Sequence, residues 1–178
     1  MRAAPGLIHN SGMTAALIFD TLASVAPWRA IDDQVMGGIS ASRLRFDTAG
    51  FAVFEGLVSL ENNGGFASVR APCPQLASAH VSGYQLSVRG DGKSYKFNLR
   101  TDDAFDGVNY QAVFAPPPGV WTTLTLRLTD FRPTWRGRPV VKAGPLQGER
   151  VCQAGLMVAD RQAGAFALTI RSITVVQD

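Results

Sequence analysis

Apolar and polar residues alternate along most of this chain with a period of two, the repeat that sends successive side chains to opposite faces of a strand. Residues 84–89 show it most clearly: Tyr84, Leu86 and Val88 share one face, and Gln85, Ser87 and Arg89 the other. Residues 95–101 repeat the pattern, with Tyr95, Phe97 and Leu99 opposite Lys96, Asn98 and Arg100. Over residues 121–128, Leu124, Leu126 and Leu128 oppose Thr123, Thr125 and Arg127. Further strands are predicted around Leu17-Ile18-Phe19 and over residues 39–46, 51–60, 66–70, 109–114, 151–159 and 165–176. No long segment carries the helical period. About nine or ten short strands with turn signals between them predict an all-β fold, in which two antiparallel sheets pack their apolar faces together. Residues 15–178 form one domain in this reading and residues 1–14 a weakly patterned tail, with Met13 a candidate start just ahead of the first strand.

The turn signals divide into two glycine blocks and two loops. The first block is Asp32-Asp33-Gln34-Val35-Met36-Gly37-Gly38-Ile39-Ser40, and the second is Glu61-Asn62-Asn63-Gly64-Gly65-Phe66-Ala67-Ser68-Val69-Arg70. Paired glycines admit positive φ, which is expected at Gly64 or Gly65. Asn62-Asn63-Gly64-Gly65 predicts a hairpin between the strands on either side, and Gly90-Asp91-Gly92 predicts another. Gly92-Lys93-Ser94 resembles the end of a phosphate-binding loop. However, Ser87 stands where that motif needs its first glycine, and a strand follows instead of a helix. Residues 131–150 hold Pro133, Gly137, Pro139, Gly144, Pro145 and Gly148, and are expected to be a long irregular loop of the kind that often carries function.

Composition narrows the class. With 46% hydrophobic and 17% charged residues, the 178-residue chain can bury a sizeable core. A net charge of +3 is too mild to imply a nucleic-acid partner. Arginine outnumbers lysine fourteen to three, and arginine suits planar, bidentate contacts better. No apolar run is long enough to span a membrane. The start of the chain lacks the basic segment and apolar core of a secretion signal. The two cysteines, Cys73 and Cys152, are expected to be free thiols in a reducing compartment, with Cys152 buried, and the chain is expected to be cytoplasmic.

Candidate chemistry is sparse. The two histidines, His9 and His80, lie near no nucleophile motif, so no catalytic residue is assigned. No cluster has zinc-ligand spacing, and no cofactor or metal is expected. Asp32-Asp33 and Asp102-Asp103-Ala104-Phe105-Asp106 offer oxygen ligands for calcium, but aspartates serve turns more often. More informative is one polar strand face. Asn98 and Arg100 share it with Lys96, Ser68 and Arg70 stand on a nearby strand, and Tyr110 and Gln111 follow on opposite faces of another. Arginine and amide groups beside an aromatic ring suit a polar ligand such as a sugar or peptide. An ordinary solvated sheet face accounts for the same residues. In the 131–150 loop, Trp135 and Arg136 form a candidate anchor for a protein partner. A base-stacking role, or a tryptophan folded back on the sandwich edge, are the other readings.

Several of these segments together resemble one family. Asp33-x-Val35-Met36-Gly37-Gly38-x-Ser40, Leu60 through Arg70 with Asn62, Asn63, Gly64, Gly65 and Phe66, and Gly90-Asp91-Gly92-Lys93-x-Tyr95 are similar to the complex I intermediate-associated protein 30 family. So are Tyr110-Gln111-x-x-Phe114, Trp121, Asp130-Phe131-x-Pro133 and Arg136-Gly137. The resemblance runs from about Leu17 to the C-terminus. It implies a galactose-binding-like jelly-roll sandwich and a non-catalytic protein that helps assemble respiratory complex I. The implied partners are proteins of respiratory or membrane-protein assembly intermediates. The alternative is a carbohydrate-binding module using the polar sheet face.

Overall fold

The computed structural model of the chain describes residues 16–178. The predicted tail and the candidate start at Met13 lie outside the described residues. Thirteen strands follow in chain order: β1 (Ala16–Ile18), β2 (Arg29–Ala30), β3 (Ala41–Asp47), β4 (Phe51–Val58), β5 (Ala67–Pro72), β6 (Val81–Arg89) and β7 (Tyr95–Arg100). They continue with β8 (Asn109–Phe114), β9 (Trp121–Arg127), β10 (Arg132–Trp135), β11 (Arg138–Pro139), β12 (Gln153–Val158) and β13 (Gly164–Gln177). The chain is an all-β jelly-roll sandwich, as the alternation predicts.

The first sheet runs β3-β4-β13-β6-β9, with β1 also paired to β13. The second runs β11-β10-β8-β7-β12-β5-β2. All strand pairings are antiparallel. The inward residues of both sheets meet in one core. Tyr84 of β6 contacts Phe97 of β7 edge-on at 5.9 Å, and Phe54 of β4 packs on Phe166 of β13 at 4.9 Å. The buried tyrosine hydroxyls have partners, as burial requires: Tyr84 donates to the Leu76 carbonyl at 3.2 Å and Tyr95 to the Asp91 carboxylate at 2.9 Å. Burial raises the pKa of both phenols, so both act as donors.

Two predicted hairpins are corrected. β4 belongs to the first sheet and β5 to the second, so Asn62-Asn63-Gly64-Gly65 carries the chain between sheets. The same holds for Gly90-Asp91-Gly92, between β6 and β7. Both reversals are real: Asn62, Asn63 and Gly65 take φ of 54°, 58° and 141°, and Gly92 takes 93°. A sharp reversal does not say whether the next strand pairs with the last one or crosses to the facing sheet.

The 131–150 stretch is also more regular than its breakers imply. β10 and β11 form a hairpin whose two loop residues, Arg136 and Gly137, have φ of 48° and 75°. Positive φ at both positions matches the twist of the flanking strands. Pro133 has no N–H to donate, but its carbonyl accepts from Val140 at 3.0 Å, so the proline fits within a short outer strand.

Candidate functional site

The first glycine block is organised by Asp33, which is fully buried. Its carboxylate accepts from the Ser40 N–H at 2.9 Å, the Ser40 hydroxyl at 2.6 Å, the Gly65 N–H at 2.7 Å and the Phe66 N–H at 3.4 Å. One side chain thus ties the two glycine blocks together. The glycines beside it make room for the carboxylate: a Cβ on Gly38 would lie 2.4 Å from Asp33 Oδ1, and one on Gly64 2.5 Å from Oδ2. Burial pushes the Asp33 carboxyl pKa up, but the hydrogen bonds from Ser40, Gly65 and Phe66 outweigh it and hold the group below its ordinary value. Asp32 works in the same way, accepting from the Ser42 hydroxyl at 2.6 Å, the Ser42 N–H at 3.0 Å and the Ser68 N–H at 2.9 Å. These bonds occupy the Asp32 and Asp33 carboxylates, one of the two sets weighed above as calcium ligands. Val35 and Met36 are left standing outward, exposed at one edge of the second sheet.

The outer face of that sheet forms the floor of a cleft of about 510 Å³. Strand register sets the floor. Arg70 of β5 lies opposite Gly155 of β12, Gly155 opposite Asn98 of β7, and Asn98 opposite Gln111 of β8. Ser68, Met157 and Lys96 form the neighbouring row. Gly155 keeps the middle of the floor low, since it places no side chain between Arg70 and Asn98.

One wall of the cleft is the loop over residues 101–108, through Phe105, Asp106 and Gly107. Arg100 holds it: its guanidinium donates to the carbonyls of Ala104 at 2.9 Å, Phe105 at 2.7 Å and Gly107 at 2.5 Å. Phe105 is 66% exposed at the rim. The Arg70 guanidinium lies 5.4 Å from its ring centroid and makes only 3.5 Å contacts to its carbonyl. Burial, then repulsion from Arg100, lowers the Arg70 pKa. Beyond the loop, Arg136 bonds Asp106 at 2.7 Å and stacks 4.7 Å over Trp135, whose indole N–H donates to the Asp106 carbonyl at 3.1 Å. Its hydrogen bonds hold Asp106 below the usual carboxylate range.

The predicted residues therefore divide. Ser68, Arg70, Asn98, Arg100, Gln111 and Arg136 all line the cleft. The alternative reading, an ordinary solvated sheet face, is corrected for its centre, because Arg100 is 6% exposed and Asn98 7%. Arg100 spends its terminal N–H donors on loop carbonyls, and its buried Nε–H has no partner among the described residues. Tyr110 points into the core, where its hydroxyl donates to the Ala143 carbonyl. Trp135 stands behind Arg136 and does not line the cleft floor. Sequence reasoning missed Phe105, read only as part of an acidic loop, and Gly155, although an isolated glycine within a strand is a signal of close approach. Cys152 is half-buried, which corrects the expectation that it is buried, and Cys73 is the buried thiol. The two cysteines sit at adjoining ends of β5 and β12, one residue outside each strand, the Cys73 N–H donating to the Cys152 carbonyl at 2.8 Å.

Comparison with known proteins places this architecture. The family model for complex I intermediate-associated protein 30 matches residues 17–170. The chain belongs to the complex I intermediate-associated protein 30 family. A relative in Neurospora crassa, named complex I intermediate-associated protein 30, mitochondrial, is 24% identical over 98% of this chain and 74% of that protein. A Drosophila melanogaster relative of the same name is 25% identical over 93% of this chain and 64% of that protein. Both carry a mitochondrial designation, which overturns the expectation of a cytoplasmic protein. Among solved structures, a family 11 carbohydrate-binding module from Clostridium thermocellum, in complex with a mixed-linked tetrasaccharide, shares the fold. Its TM-score is 0.67 at 13% identity, covering 92% of this chain and 96% of that one.

Proposed function

We propose that this member of the family is a non-catalytic binding protein that holds a protein partner, an intermediate of respiratory complex I assembly, in the cleft on the outer face of the second sheet. The observation that carries the reading is the cleft itself. Amide and guanidinium donors from Asn98, Gln111 and Arg70 line its floor, and exposed Val35, Met36 and Phe105 stand at its rim. Methionine, aromatic and arginine side chains are the residues enriched at protein interfaces. The two carboxylates lining the cleft, Asp106 and Asp160, are ion-paired with Arg136 and Lys96. In that state they serve as structural partners and not as an acid–base pair. The names of the relatives point to complex I as the assembly concerned.

The second reading, a carbohydrate-binding module, is favoured by the fold shared with one. Against it, Arg70 lies over Phe105 and Arg136 over Trp135, so each ring offers a sugar one face at most. Affinity purification of the natively expressed chain separates the two. Recovery of complex I subunits with the full chain supports the assembly reading. Their absence, together with binding on a glycan array, contradicts it.

A further inference from the structure

Three buried polar side-chain atoms have no hydrogen-bond partner among the described residues: the amide oxygens of Asn98 and Asn109 and the Nε of Arg100. All three residues line the cleft. Buried polar groups are nearly always paired, so three unpaired atoms on one patch leave room for a missing partner. Neither asparagine amide makes any side-chain hydrogen bond among the described residues, so neither contributes one to the fold.

The patch offers two acceptors and one donor. Asn98 lies opposite Gln111 and Leu99 opposite Tyr110, which puts Arg100 beside Asn109 and makes Asn98 and Asn109 diagonal neighbours across β7 and β8. Such neighbours stand about 7 Å apart. One edge of an extended polypeptide repeats at the same interval, because every second residue, at about 3.3 Å per residue, turns its N–H and C=O to the same side. Along that edge the groups run N–H, C=O, N–H, the complement of acceptor, donor, acceptor. A carboxylate, with acceptors alone, would leave both amide oxygens unpaired.

The loop over residues 101–108 lies over the Arg100 end of the patch, its carbonyls taking the terminal N–H groups of Arg100. No backbone–backbone hydrogen bond ties this loop down among the described residues. Apart from Arg100, it is held by Trp135 and Arg136 at Asp106, by Gln153 at the Asp102 carbonyl and by the long Arg70 contacts to Phe105. The Arg136–Asp106 pair is exposed, and exposed ion pairs are weak. Lifting the loop hands its hydrogen bonds to water and opens the unpaired atoms, which offsets part of the cost.

We propose that Asn98, Arg100 and Asn109 form a main-chain subsite that takes an extended segment of a protein partner when the 101–108 loop lifts. The N–H groups of the segment donate to the two amide oxygens, and the C=O between them accepts from the Arg100 Nε–H. Its apolar side chains rest on exposed Val35 and Met36 at the rim. This rests on the reading of the cleft as a partner-binding face.

The test is an NMR titration of the full chain with three probes: a capped peptide of alternating leucine and serine, its N-methylated twin and a mixed-linked tetrasaccharide. The peptide is expected to move the side-chain amide signals of Asn98 and Asn109, the Arg100 Nε–H and the Trp135 indole N–H, which reports on the loop. The N-methylated twin lacks the donors and is expected to bind about tenfold more weakly. Asp106→Ala frees the loop and is expected to tighten peptide binding several-fold. Asn98→Leu and Asn109→Leu are expected to weaken it about tenfold, with melting curves confirming that both fold. Equal binding of peptide and twin in the cleft, or wild-type affinity in both folded leucine variants, overturns the main-chain subsite and leaves the partner-binding face standing. Weaker peptide binding by Asp106→Ala overturns the lifting of the loop. Tighter binding of the tetrasaccharide through the same signals overturns the peptide assignment. Peptide-induced shifts confined to the other sheet, or none in wild type and Asp106→Ala alike, overturn the subsite; recovery of complex I subunits by the full chain then decides whether the face falls with it.

Discussion

Asp33 accepts four hydrogen bonds inside the fold, from the Ser40 N–H and hydroxyl and from the N–H groups of Gly65 and Phe66. Asp33→Asn places an N–H2 against some of these donors and is expected to cost at least about 2 kcal/mol, read from urea unfolding. The carboxyl is held below its ordinary value of 3.8 in the folded state, so folding releases a proton at acid pH. Its stabilisation is complete above the ordinary carboxylate value and is lost as pH falls through the folded one. Stability of Asp33→Asn is therefore expected to change less across that acid range than wild type; equal slopes would show that Asp33 is not the titrating group. The glycine pairs were legible as reversals, because glycine is the residue that takes positive φ readily. Their crowding around one carboxylate was not, since Gly65 lies 32 residues beyond Asp33 and only folding brings them together. The cysteines teach the same lesson. Burial pushes the Cys73 thiol up to about 12, and burial with Asp102 and Asp103 nearby raises Cys152 as well. Cys152 is only half-buried, so a thiol reagent is expected to label it before Cys73. Faster labelling of Cys73 would contradict that.

Strand β7 and the loop over residues 101–108 behave as one element because Arg100 joins them. Alternation correctly put Asn98 and Arg100 on the outer face of β7, opposite Phe97 and Leu99. It had no access to what covers that face, because the covering loop is held by backbone carbonyls, which any residue type supplies. A solvated Arg100 would tolerate replacement within about 0.5 kcal/mol. As a buried donor to three carbonyls, its loss in Arg100→Ala is expected to cost about 2 kcal/mol or more. Hydrogen exchange of the amides in the 101–108 loop is expected to rise with it. Wild-type stability and wild-type exchange in the loop would return Arg100 to the solvent. The β10–β11 hairpin was hidden for a different reason. Its prolines read as breakers, yet Pro133 needs no N–H where it sits and Arg136 adopts positive φ beside Gly137.

For the whole molecule, the period-two pattern was enough for a sandwich, because inward apolar rows have to meet a second apolar layer. It did not assign strands to sheets. A glycine-rich reversal looks the same in a hairpin and in a crossing, and β4–β5 and β6–β7 are both crossings. That assignment determines which strands lie side by side, and so which polar groups share the cleft. Arg70, Gly155, Asn98 and Gln111 become a row only in the order β5-β12-β7-β8. The most direct measurement of the binding role is the recovery of complex I subunits by the tagged full chain, compared between Arg70→Ala on the cleft floor and Arg171→Ala on the other sheet. If the cleft is the partner-binding face, Arg70→Ala weakens capture by about 2 kcal/mol or more, as an interface anchor does, while Arg171→Ala captures like wild type and both variants melt as folded domains. Equal capture by all three folded proteins, or a loss confined to Arg171→Ala, would place the partner elsewhere on the molecule.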